Sequence, residues 1–210
     1  MALFIRNEKQ QALHQDQGPR VDVYKSLGLQ ALFQLLHPEQ KYRIMDLGPA
    51  IGANIEFLSQ YASKIRVLDA YETLSDAGFF ARGEGPCDEE AVGRMLSVPD
   101  REEFDIVFGW DLFNYLTLDE LKPLIQYVKR RCVAGTLFFA MVSTQKEMPS
   151  LPTTFRIRDQ ESLLYCLGSA ETRSCPRFAP RDMTILMSGF GVHSSYMLRN
   201  GMQEYVFVHR

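Results

Sequence analysis

Tyr42-Arg43-Ile44-Met45-Asp46-Leu47-Gly48-Pro49-Ala50-Ile51-Gly52-Ala53-Asn54 joins a short apolar run ending in an acid to a glycine-bearing turn and then to a helical pattern. Glycine tolerates positive φ and lets a ligand approach the backbone, while the start of the following helix offers unpaired N–H groups and partial positive charge. Gly48 and Gly52 suit those two needs. Asp46, at the carboxyl end of the strand, points into the crevice where open α/β sheets bind ligands. The pattern indicates a nucleoside-like ligand. Glycine-bearing strand–turn–helix connections also arise for structural reasons alone, so the flanking sequence has to decide.

Lys64-Ile65-Arg66-Val67-Leu68-Asp69 reads as a second short strand ending in an acid, about 20 residues past the glycines, the offset of a ribose-binding carboxylate. Ile51, Ile55, Leu58 and Tyr61 recur between them at helical spacing. A strand–helix–strand unit with an acid at each strand end follows.

At these residues the chain resembles the class I, Rossmann-like, S-adenosylmethionine-dependent methyltransferases, over roughly Tyr24 to the C-terminus. Asp46-Leu47-Gly48-Pro49-Ala50-Ile51-Gly52 stands where that family carries an acid and three alternating glycines, with Ala50 replacing the middle one. Asp69, followed by Ala70, stands at the ribose acid. The resemblance implies a three-layer α/β/α sandwich with a mostly parallel seven-stranded sheet closed by a C-terminal antiparallel hairpin, and S-adenosyl-L-methionine as cofactor. It places Asp46, Gly48, Ala50, Gly52, Asp69, Ala70, Arg94, Met95 and Trp110 beside that cofactor. Arg94, in Gly93-Arg94-Met95-Leu96-Ser97, stands where the family's third strand ends in an acid that meets the adenine. Arginine cannot accept from the adenine amino group but can stack on the ring.

Later segments agree. Phe104 to Asp111 and Gly135 to Val142 read as strands. Between them Thr117 and Glu120 form a capping-box pattern, Leu121, Leu124, Ile125 and Val128 an apolar face, and Lys129, Arg130 and Arg131 a basic end. Pro123 calls for a helix that begins late. Val192 to Leu198 and Gln203 to Val208 flank Arg199-Asn200-Gly201-Met202, and Asn-Gly is a strong hairpin signal. A terminal hairpin of this kind favours a methyltransferase over a nicotinamide-dependent oxidoreductase.

With 210 residues, 46% apolar and 23% charged, the chain suits a single domain over residues 21–210, preceded by a polar arm over 1–20. Residues 21–36 carry apolar positions at helical spacing. Residues 143–180 fall where the family builds a cap over the methyl acceptor. Within them Thr153 to Arg158 alternates like an edge strand and Ser162 to Leu167 reads as a short helix. Lys146, Arg156, Arg158, Arg173 and Arg177 suit either an anionic acceptor or, with their neighbouring acids, a solvated face, and the latter is favoured.

A net charge of −3 argues against DNA and disfavours RNA as a partner. No apolar run reaches membrane-span length, and Met1 to Ile5 is too short for a signal-peptide core, so a cytoplasmic protein, monomeric or homodimeric, is the expectation. Cys87, Cys132, Cys166 and Cys175 lack CxxC spacing and read as free thiols; His14, His37, His193 and His209 suggest no metal site.

Trp110-Asp111-Leu112-Phe113-Asn114-Tyr115 occupies the position where the family meets the cofactor's methionine part and the acceptor, without the Asn/Asp-Pro-Pro-aromatic signature of amide and base methylation. Trp110 suits a sulfonium contact or the core equally. Asp111 and Tyr115 are weak candidates for a catalytic role. The leading expectation is a small-molecule methyltransferase working by in-line displacement. The alternatives are a catalytically degenerate binding or scaffold module of the same fold and a nicotinamide-dependent oxidoreductase.

Overall fold

The computed structural model describes residues 21–76, 88–166 and 169–210. The arm expected over 1–20, Cys87 and Leu167 lie outside them. In chain order the strands are β1 (Val21–Lys25), β2 (Tyr42–Asp46), β3 (Ala62–Val67), β4 (Phe104–Trp110), β5 (Cys132–Ser143), β6 (Glu147–Pro149), β7 (Thr154–Asp159), β8 (Ser162–Cys166), β9 (Thr172–Ser174), β10 (Phe190–Met197) and β11 (Met202–His209). The helices are α1 (Leu27–Gln34), α2 (Gly52–Ser59), α3 (Ala70–Asp76), α4 (Glu89–Leu96), α5 (Leu118–Lys129) and α6 (Pro180–Leu186), with a 3₁₀ turn at Leu112–Asn114.

The central sheet has the order β10-β11-β5-β4-β2-β3. β3, β2, β4 and β5 are parallel, β11 runs antiparallel to β5, and β10 pairs antiparallel with β11. From β2 the chain first adds β3 on one side and then β4 on the other. The carboxyl ends of β2 and β4 therefore flank a topological switch point, where such sheets leave a crevice.

Strand alternation divides the core. On β5, Phe138, Ala140 and Val142 face one cluster with α4, α5 and α6, while Leu137, Phe139 and Met141 face another with α1, α2, β7 and β8. With both faces covered, the strands read as unbroken apolar runs. α5 carries the capping box in full: Thr117 Oγ1 accepts from the Glu120 backbone, and Glu120 Oε2 accepts from the Thr117 N–H at 2.7 Å. It does not begin late; Pro123 is buried inside it.

Three expectations are corrected. The central sheet has six strands among the described residues, because Gly93–Ser97 is not a strand. Asp88 caps α4 by accepting from Ala91 N at 2.8 Å, Val92 and Leu96 bury its inner side, and Ser97 ends it in the left-handed region. Ser162–Cys166 is a strand rather than a helix, with Leu163 and Tyr165 buried at period two. Residues 21–36 are not one helix: β1 joins β8 and β7 in a separate three-stranded sheet, and Ser26 then caps α1.

α1 lies against the sheet through Gly28. Its N–H donates to Glu204 Oε2 of β11 at 2.7 Å, so a fully buried carboxyl sits at the helix N-terminus, where the helix dipole favours it. A Cβ on Gly28 would stand 2.9 Å from Glu204 Cβ and 3.0 Å from the Phe139 ring. Helix propensity alone would make Gly28→Ala stabilising by about 1 kcal/mol, whereas overpacking costs about 1–3 kcal/mol. The expected result in urea unfolding is a net loss of stability; a gain would mean that α1 does not approach the sheet this closely.

Candidate functional site

The carboxyl ends of β3, β2 and β4 open on a cavity of about 420 Å³. Leu47, Gly48, Pro49 and Ile51 form one wall, Asp69, Tyr71 and Glu72 a second, and Gly109, Trp110, Asp111 and Leu112 the floor. Leu151, Pro152, Thr153, Thr154 and Phe155 roof it.

Asp46 organises the floor. Buried at 2% exposure, its Oδ1 accepts from the Gly48 backbone N–H at 2.9 Å and from the Trp110 indole Nε1–H at 2.7 Å. Burial pushes its carboxyl up to about 6, against the pull of those two hydrogen bonds. It acts beneath the crevice rather than lining it. Gly48 is required by contact rather than by φ: a Cβ there would come within 2.7 Å of Trp110 Cδ1. A Cβ on Gly52, at the first turn of α2, would meet nothing within 4 Å, and Gly52 lacks positive φ.

Trp110 itself has φ +46°, an uncommon conformation for a bulky residue, at a register shift where β4 pairs with β5. Its ring is nearly parallel to Phe155 (6°, centroids 5.7 Å) and to Phe108 (20°, 5.2 Å). The indole is thus committed to an aromatic stack joining floor and roof, which favours the core reading of this residue. Asp69 also has positive φ, +41°, with its N–H donating to Gly48 O at 3.1 Å.

Three side chains hold the roof, one from α2 and one from each end of the 3₁₀ turn. Asn54 of α2 donates to Phe155 O at 2.8 Å and accepts from Ile157 N at 2.7 Å. Tyr115 donates to Leu151 O at 3.0 Å, and Asp111 Oδ2 accepts from Thr153 N at 3.3 Å. Asp111 is 4% exposed, and burial pushes its carboxyl up to about 7 against the hydrogen bonds from Thr153. Burial also raises the Tyr115 phenol far above its ordinary value, with the Asp111 charge adding to it. A buried carboxyl poised near neutrality can exchange a proton with a bound group.

Of the residues expected at the site, the structure brings together Gly48, Asp69, Trp110 and Asp111 around the cavity, with Asp46 and Tyr115 just behind. Ala50 is exposed and needs no positive φ, and it stands with Gly52 outside the lining. Ala70 is fully buried in the core. Arg94 and Met95 lie apart on α4; Arg94 pairs with Glu90 at 3.0 Å and lines a different groove, and Met95 packs on the core. Lys146, Arg156, Arg158, Arg173 and Arg177 are all exposed, and none lines the cavity. Sequence reasoning assigned no role to Asn54, Tyr71, Thr153 or Phe155. Only Thr153 and Phe155 carried a signal, through their place inside the expected cap.

No protein-family model matches the chain, and no curated protein was found to be similar in sequence. Solved structures match its fold. An S-adenosylmethionine-dependent methyltransferase from Clostridium acetobutylicum aligns with TM-score 0.54 at 11% identity over 98% of this chain and 97% of its own. CalS10, an amino pentose methyltransferase from Micromonospora echinaspora, aligns with TM-score 0.54 at 10% identity over 100% and 98%. An S-adenosylmethionine-dependent methyltransferase from Mesorhizobium loti gives 0.52 at 14% identity over 85% and 96%. The chain has the Rossmann-like α/β fold of the class I methyltransferases.

Trp110 is the only tryptophan, so its fluorescence reports the floor directly. Gly48→Ala is expected to displace the indole, shift its emission and cost about 1–3 kcal/mol. Gly52→Ala is expected to leave the emission unchanged and to stabilise α2 by up to about 1 kcal/mol.

Asp46 and Asp111 are both raised from an ordinary value of 3.8, so the stability they contribute is complete below that value and is lost as pH rises through about 6 and about 7. Thermal unfolding of the unligated Asp111→Asn variant, which keeps an acceptor for Thr153 N–H, is expected to show a flatter fall in stability between about pH 4 and 7 than the parent. An unchanged slope would remove Asp111 from that account.

Proposed function

We propose that the protein is an S-adenosylmethionine-dependent methyltransferase acting on a small-molecule acceptor. The observation that carries this reading is the cavity at the switch point, bounded by the Gly48 turn, the Asp69 carboxylate and a roofed floor, in a fold shared with structures that include one solved with S-adenosylmethionine bound. Its volume suits a small ligand and its walls are mostly apolar.

The residues fit the cofactor. Asp69 offers a carboxylate to a ribose diol; Leu47, Ile51 and Tyr71 offer apolar surface, and the turn after β2 offers backbone groups. When bound, S-adenosylmethionine supplies a methyl group on a sulfonium that is already activated. The protein's task is then alignment and exclusion of water. Orientation can contribute on the order of 7–11 kcal/mol. Asn54, Tyr115 and Asp111 perform it by fixing the roof over the floor.

A second reading, a binding or scaffold module of the same fold without catalysis, is favoured by one feature: the Trp110 indole occupies the room beside Gly48. Calorimetric titration separates the two. S-adenosylmethionine and S-adenosylhomocysteine are both expected to bind at micromolar level and NAD is not, and Asp69→Ala is expected to weaken both at least tenfold. A folded sample that binds neither sulfur nucleoside supports the module.

A further inference from the structure

The described residues lining the cavity include three carboxyl groups, Asp69, Glu72 and Asp111, and no lysine, arginine or histidine. The arginines of the 143–180 segment are exposed and outside it. Asp69 and Asp111 would oppose an anionic acceptor, with no cation among the described lining residues, whereas a cation would meet attraction strengthened by the cavity's low polarity. The rest of the surface is apolar: Leu112, Leu151 and Phe155 frame the side on which Asp111 reaches the roof.

Resting on the methyltransferase reading, we infer that the methyl acceptor is a protonated amine on an apolar or aromatic body, and that Asp111 is the group that takes its proton. The geometry assigns the roles. Asp69 lies with the glycine turn, at the end proposed for the nucleoside, while Asp111 lines the cavity beneath the roof, its Oδ2 accepting from Thr153 N at 3.3 Å. The proton passes from the ammonium nitrogen to an Asp111 carboxylate oxygen: an N–H bond breaks, an O–H bond forms, and the amine keeps the electron pair with which it attacks carbon. An ammonium has no free pair and cannot act as nucleophile, so the step is obligatory for this acceptor class. A carboxyl held near neutrality by burial can both attract the ammonium and accept from it. The other titratable groups that feel Asp111 are the phenols of Tyr115 and Tyr165, both held neutral by burial; Arg173 lies beyond the Tyr115 ring, 5.7 Å from its centroid.

The test uses the full chain saturated with S-adenosylhomocysteine, titrated calorimetrically with 2-phenylethylammonium, 2-phenylethanol and phenylacetate, which share one skeleton. The ammonium is expected to bind at least tenfold tighter than the other two. Its affinity should rise between about pH 5.5 and 8 with a midpoint near 7, a range over which an alkylammonium keeps its charge. Asp111→Asn is expected to lose both the preference and the pH dependence while still binding S-adenosylhomocysteine. The wild-type pH profile stands alone if that variant does not fold. Equal or tighter binding of phenylacetate or the alcohol, binding of none of the three, or a flat profile overturns the inference. Failure of S-adenosylhomocysteine itself to bind overturns instead the reading beneath it.

Discussion

One buried carboxylate oxygen, Asp46 Oδ1, accepts from both the backbone of the glycine turn and the only indole in the chain. Everything around the cavity is referred to that point. The Gly48 hydrogen bond fixes where the chain leaves β2; the indole bond fixes the last side chain of β4, held in a backbone conformation that tertiary contacts have to sustain. The indole in turn stacks on Phe155 and so sets the height of the roof. Gly48 belongs to this arrangement because any side chain there would strike the indole. Two neutral donors on one oxygen offset part of the cost of desolvating a carboxylate, but burial still prevails, which is why the group titrates well above an ordinary aspartate.

The cavity thus carries an unresolved electrostatic demand. Asp46 below the floor and Asp111 within it are both raised by burial, and no cationic side chain among the described residues lines the cavity. A protein can meet such a demand with a paired arginine, as it does where Arg43 lies 2.8 Å from Asp105 across β2 and β4 and holds that carboxyl below its usual range. At the cavity it does not. Acids with neutral hydrogen-bond donors but no cation among the described residues beside them are what the inferred site for a positive ligand draws on.

The parallel core was legible in the sequence because strands buried on both faces leave continuous apolar runs, as at Phe104–Trp110 and Gly135–Val142. The cap of α5 was legible because a capping box is local chemistry. Two errors have different origins. Ser162–Cys166 is too short for periodicity to separate a helix from a strand, and of its two partners only β7 is adjacent in the chain, while β1 lies far from it. Gly93–Ser97 was assigned by family position, although Asp88, Glu89 and Glu90 ahead of Val92 already spelled a helix start. Asp46, Gly48, Asp69, Trp110 and Asp111 lie at or just behind the cavity because motif and strand end coincide. Asn54 was invisible, since its two backbone partners stand about a hundred residues away, and so was the positive φ of Trp110, which no local signal encodes.

The roof differs from a mobile lid in how it is held. Tyr115, Asp111 and Asn54 bind successive backbone groups of 151–157 from the two ends of the 3₁₀ turn and from α2, so its shape is settled before any ligand arrives. Such preorganisation removes an ordering cost from binding and alignment alike. On the proposed reading it also separates two tasks: the glycine turn and Asp69 can keep a common ligand while Leu151 to Phe155 vary with the acceptor, because the clasps grip main chain. Asp111 is where the tasks meet. Its carboxylate supports the roof through Thr153 and, in the role inferred for it, takes a proton during turnover. Protonation weakens the same hydrogen bond that positions the roof, since a neutral carboxyl is a poorer acceptor than a carboxylate. In the role inferred for Asp111, proton uptake and the hold on the roof are therefore coupled through one side chain.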